Sequence, residues 1–170
     1  MNNLHNILIY GYGNPGLQDD GLGNELVSRL DEWITGNRSA GIVFDSNYQL
    51  NIEDAHAMRG KEIVVFIDAT VDERVGDMMV TRVEPDSKVE FTMHSVSPSF
   101  VLNLCRNIYN ENPATYLVHI RGYKWEFLEA MTPGAGENLN KAIDFFKEAL
   151  SFPDISGIKG FFDKYSNQLN

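Results

Sequence analysis

Two aspartates and one histidine, Asp20, Asp68 and His94, stand where this sequence could perform chemistry. Each falls at or just beyond the end of a predicted strand. Asp20 follows the apolar run Ile7-Leu8-Ile9-Tyr10, and Asp68 closes the run Ile63-Val64-Val65-Phe66-Ile67. His94 precedes a helix that should begin at Pro98. In an open parallel sheet the carboxyl ends of the strands share one rim, and ligands bind in the crevice there. Two carboxylates and an imidazole on that rim are an oxygen and nitrogen donor set, able to hold a divalent transition metal with open coordination positions. A carboxylate so placed can also act as a general base toward water.

Taken singly, each residue has a plainer use. Asp19 and Asp20 stand where a helix begins, and aspartate there accepts orphan N–H bonds and complements the dipole. One cap is enough, which leaves the second carboxylate free to project into a cleft. An aspartate ending a buried strand can cap the next element, and a histidine before a helix can be a surface or capping group. The other histidines have no comparable placement: His5 precedes the first strand, His56 is on a helix, and His119 is inside a strand as a half-buried sheet residue. Cys105, the one cysteine, sits in a helical stretch and reads as a buried structural thiol. Alone it makes neither an internal disulfide nor a cysteine-rich metal site.

The elements that must position these residues alternate. Strand one covers about residues 6–10. The glycine-rich stretch Gly11-Tyr12-Gly13-Asn14-Pro15-Gly16 turns the chain, and Leu26, Val27, Leu30 and Trp33 recur at helical spacing within a helix at about 21–34. Short strands are expected at 41–45 and 62–68, separated by a short helix over 52–58. The continuous apolar run of the latter strand suits burial on both faces. Residues 75–83 alternate as an edge strand. Ser97-Pro98 reads as an N-cap followed by proline at the first helical position, opening a helix to about Tyr109. A strand at 114–120, a loop at 121–133 and an amphipathic helix at 137–150 complete the series. The expected fold is α/β: a three-layer sandwich with a mainly parallel twisted sheet and helices on both faces. Residues 1–150 form one α/β domain, and 151–170 a tail expected to pack as a short helix.

Composition narrows the partners. The chain has 170 residues and a net charge of −10, which disfavours nucleic acid because phosphate contacts need a basic face. No stretch has the length and apolarity of a membrane span. The first residues, Met1-Asn2-Asn3-Leu4-His5-Asn6, lack a basic segment leading into an apolar one, so a cytoplasmic location is expected.

Three segments in order, Gly11 to Pro15 with Asp19-Asp20-Gly21-Leu22-Gly23, then Phe66-Ile67-Asp68-Ala69, then Met93-His94-Ser95, resemble the hydrogenase maturation endopeptidases. The resemblance spans about residues 7–150. These proteases remove a C-terminal extension from the large subunit of [NiFe] hydrogenases after nickel insertion. It implies that Asp20, Asp68 and His94 are the metal-contacting and catalytic residues. It implies a [NiFe] hydrogenase large-subunit precursor as partner, with nickel brought by that substrate rather than held permanently; another divalent cation can stand in for it in crystals. Many members carry Glu where Asp20 stands, so the carboxylate here is retracted by one methylene. The glycine-rich segment that other members have after the second strand is absent, and Ser46-Asn47-Tyr48 occupies its place. Tyr48-Gln49-Leu50-Asn51-Ile52-Glu53 resembles a segment found there in some members, and residues 134–139 resemble the family's lead-in to the last helix. Metal-polarised attack and a carboxylate acting alone as base both fit the residues.

Other readings compete. Gly11–Gly16 also resembles the opening of bacterial peptidyl-tRNA hydrolase, but Gln18-Asp19-Asp20 follows in place of that family's tyrosine and Arg-His-Asn stretch. A dinucleotide-binding turn would set Asp19 and Asp20 unfavourably against a pyrophosphate. A non-catalytic nickel-recognition or scaffold protein of the same fold is the main alternative to a protease.

Overall fold

The computed structural model describes residues 6–35, 41–88 and 96–167. Among these residues five strands form one sheet in the order β2-β1-β3-β5-β4: β1 (Ile7–Tyr12), β2 (Ile42–Asn47), β3 (Ile63–Thr70), β4 (Met78–Arg82) and β5 (Ala114–Arg121). β1, β2, β3 and β5 are parallel, while β4 runs antiparallel along the edge of β5. Among the described residues five α-helices flank the sheet: α1 (Leu22–Thr35), α2 (Asp54–Ala57), α3 (Pro98–Tyr109), α4 (Pro133–Leu150) and α5 (Ile155–Ser166). Alternate residues of the buried strands feed two cores, as the pleat requires. Ile7, Ile9, Val65, Ile67, Tyr116 and Val118 pack under α1, α4 and α5. Leu8, Tyr10, Val64 and Phe66 pack under α3 with Val101, Leu102 and Cys105. This is the three-layer α/β arrangement, with a mainly parallel sheet between two helical layers.

Local sequence explains where α3 and α4 start. The Ser97 side chain accepts a hydrogen bond from the Phe100 amide at 3.2 Å, and Pro98 occupies the first turn of α3. Thr132 does the same for α4 through the Ala135 amide, with Pro133 next. That cap starts α4 four residues earlier than periodicity indicates, because Gly134 and Gly136 interrupt the apolar pattern without breaking the helix. The edge strand is shorter than its alternating pattern, keeping only Met78–Arg82. Helix α5 seats Ile158, Phe161 and Phe162 in the core of the α4 face. The Tyr116 hydroxyl donates to Asp163 at 2.6 Å, and Arg82 pairs with the same carboxylate at 3.0 Å, so α5 is tied to β5 and β4.

The connectivity sets the position of the site. From β1 the chain crosses to β2 on one side, then returns past β1 to β3 on the other. The carboxyl ends of β1 and β3 therefore flank the switch point, where open α/β sheets form their ligand crevice. Among the described residues no helix is long and apolar enough to cross a membrane.

Candidate active site

Glycines bring the two aspartates to the switch point. A Cβ on Gly23 would lie 2.6 Å from the Ile67 carbonyl oxygen, and one on Gly11 would collide with the Gly23 carbonyl. Helix α1 thus crosses directly over the ends of β1 and β3, a close approach only glycine permits. Gly13 has φ +149°, and a Cβ there would strike the Asp20 carbonyl, so the turn folds tightly back on the end of β1. Asp20 lies in the single 3-10 turn Gln18–Gly21, three residues before Gly23. Asp68 comes one residue after Ile67, near the end of β3.

Asp20 is half-buried and held by two donors. The Asn14 amide donates to its Oδ2 at 2.8 Å, and the Trp125 indole N–H donates to its Oδ1 at 3.1 Å. Asp68 is also half-buried. Burial first, and then the charge of Asp20, push its carboxyl up to about 7; hydrogen bonds from the Ala69 amide and the Tyr12 hydroxyl act in the opposite direction. The strand register accounts for the tyrosine: Gly11 pairs with Ile67, so Tyr12 stands beside Asp68. Burial and the neighbouring Asp68 raise the Tyr12 hydroxyl well above its ordinary value, so it remains a proton donor toward that carboxylate.

Among the described residues every hydrogen bond to the Asp19 side chain comes from a distant loop, so it does not serve as a cap of its own helix. It is completely buried and accepts four hydrogen bonds from the distant loop 122–132. The donors are the amides of Tyr123 (2.8 Å), Lys124 (3.1 Å) and Thr132 (2.8 Å), and the Thr132 hydroxyl (2.8 Å). These bonds outweigh its desolvation and hold its carboxyl below the ordinary range. Its own amide donates to the Lys124 carbonyl, and the Leu128 amide donates to Gly16. The loop is thus fastened along the glycine-rich turn. Tyr123, Phe127 and Leu128 stay exposed on it.

The structure therefore brings Asp20 and Asp68 together. His94, with Met93 and Ser95 around it, lies outside the described residues. Among the described residues no group of three or more His, Cys, Asp or Glu side chains is arranged to hold a metal ion. His119 is level with Asp68 on the adjacent strand, but its Nε2 is 3.3 Å from Thr81 Oγ1 on the far side, and burial lowers its pKa. His56 is exposed and 3.3 Å from the Tyr109 hydroxyl, away from the rim. Cys105 is fully buried in α3. Sequence reasoning missed Asp19 as an anchor and Trp125 altogether. The available signals were the pairing of two adjacent aspartates, of which the cleft needs one, and the three aromatics, Tyr123, Trp125 and Phe127, in a polar loop.

The fold and this geometry can be set against known proteins. No protein-family model and no curated protein matches the chain. Solved structures do. The [NiFe] hydrogenase maturation protease HycI from Thermococcus kodakarensis KOD1 superposes with a TM-score of 0.69 at 15% identity, over 86% of this chain and 93% of that one. The hydrogenase maturating endopeptidase HybD from E. coli gives 0.63 at 22% identity, over 85% and 91%. A hydrogenase 2 maturation peptidase from a Thaumarchaeota archaeon gives 0.59 at 18%, over 85% and 97%. At these identities the likeness is one of fold, and it extends over nearly the full length of each neighbour: this chain has the fold of the [NiFe] hydrogenase maturation proteases.

Proposed function

We propose that the chain is an endopeptidase that removes the C-terminal extension of a nickel-loaded [NiFe] hydrogenase large-subunit precursor in the cytoplasm. One observation carries this reading: at the switch point of a fold shared with maturation proteases, Asp20 stands near enough to Asp68 for its charge to raise that carboxyl. Nickel belongs to the substrate. The two carboxylates are hard oxygen donors on an open rim, which suits approach to a cation already held by another protein. His94 is the nitrogen donor proposed from sequence to complete that set.

The two aspartates suit different tasks. Both oxygens of Asp20 are oriented by hydrogen bonds, so it can hold a fixed direction toward the cation. Asp68, pushed to about 7, exchanges a proton readily near neutrality. It takes a proton from the attacking water as the water oxygen bonds to the scissile carbonyl carbon. It returns that proton to the amide nitrogen as the carbon–nitrogen bond breaks. The products are a new carboxyl terminus and a free amine. The test is mass spectrometry of a precursor incubated with the protein, with and without nickel. Shortening of the nickel-loaded form supports the reading. No shortening of any hydrogenase precursor leaves a binding protein of the same fold.

A further inference from the structure

Trp125 reaches Asp20 from a loop more than a hundred residues away, and its indole N–H donates to Asp20 Oδ1 at 3.1 Å. The ring packs against Gly122, where an added Cβ would lie 2.7 Å from it, so the loop leaves room for the indole. Asp19, adjacent to Asp20, holds both ends of that loop through Tyr123, Lys124 and Thr132. Two neighbouring aspartates thus divide the work: one is buried and secures the loop, the other is gripped by what the loop delivers.

We infer that Trp125 is a positioning residue for Asp20, fixing the plane of its carboxylate. This rests on the reading of Asp20 as the group that faces the substrate's nickel. The torsion that turns an aspartate carboxylate is broad and roughly two-fold, so a single donor does not fix it. The Asn14 amide on Oδ2 leaves the group free to swing about that bond. The indole on Oδ1 removes the swing. Among the described residues one donor reaches each oxygen, and a carboxylate oxygen has a second lone pair to offer the cleft. Loss of such a partner behind a metal-facing group typically costs about 10–100-fold in affinity or activity.

The test replaces the indole by two groups that lack the N–H. One is Trp125→Phe. The other is site-specific incorporation of the benzothiophene analogue of tryptophan, which keeps the shape and therefore the packing. Both should lower kcat for the nickel-loaded precursor by about 10–100-fold with KM little changed, because orientation rather than binding is lost. Wild-type kcat in the benzothiophene protein overturns the inference, since packing alone would then suffice. A second readout needs no substrate. The Trp125 indole N–H resonance should move in Asp20→Ala, while that of Trp33 on α1, whose ring lies under Lys147 of α4, stays in place. An unmoved Trp125 signal overturns the inference even if the wild-type protein cleaves nothing, which would separately refute the protease reading.

Discussion

Replacing Asp68 by asparagine should stabilise the protein while abolishing its activity. The carboxyl of Asp68 is raised from 3.8 to about 7 by burial and by Asp20. A group that holds its proton more tightly in the folded chain costs stability wherever the unfolded chain ionises and the folded one resists. That cost is absent below about pH 4, grows as pH rises, and is complete above about pH 7. Some three pH units correspond to about 4 kcal/mol. Partial exposure screens the charge, and asparagine has one acceptor oxygen for the Tyr12 and Ala69 donors, so about 2 kcal/mol is expected to remain. For a chain of this size that is a rise in Tm of about 4–8 °C. Thermal denaturation followed by circular dichroism, with chelator present, reads it directly. Asp68→Asn should melt higher than wild type at pH 8, and the gain should shrink toward zero near pH 4.5. A gain independent of pH, or an equal or lower Tm at pH 8, refutes the reasoning.

Further expectations follow from the same geometry. Asp19→Ala leaves three amides of a buried junction without their acceptor, and should cost about 3–5 kcal/mol in urea unfolding; a loss below about 1 kcal/mol contradicts the anchoring role. Gly23→Ala drives a methyl group into the Ile67 carbonyl, so it should destabilise by about 3 kcal/mol or more by the same measurement. Gly60→Ala is the contrast: among the described residues, its chain neighbours aside, no atom lies within 4 Å of the added methyl group, and its cost is confined to the strained backbone at φ +72°.

Much of this arrangement was legible locally. The apolar run at 63–67 and the glycine-rich turn at 11–16 identify a buried parallel strand and a strand-to-helix reversal, and both carry their aspartates to the rim. Ser97 and Pro98 announce the start of α3. The start of α4 was hidden because its glycines mask the pattern while the Thr132 cap acts through a single side chain. The role of Asp19 was illegible for a different reason. Its four hydrogen bonds join residues 104 to 113 positions apart, and no local propensity or periodicity encodes such contacts. Trp125 is hidden in the same way: its indole reaches Asp20 across 105 positions, held by a loop with no regular structure.

The most direct measurement is cleavage of a hydrogenase large-subunit precursor with and without nickel, by the wild-type protein and by Asp20→Asn, Asp68→Asn and His94→Gln. Mass spectrometry should show loss of the C-terminal peptide only for the nickel-loaded precursor with wild-type protein, and none with the three folded variants. Normal processing by all three variants contradicts the assignment of the site, and equal processing without nickel contradicts the role given to the metal.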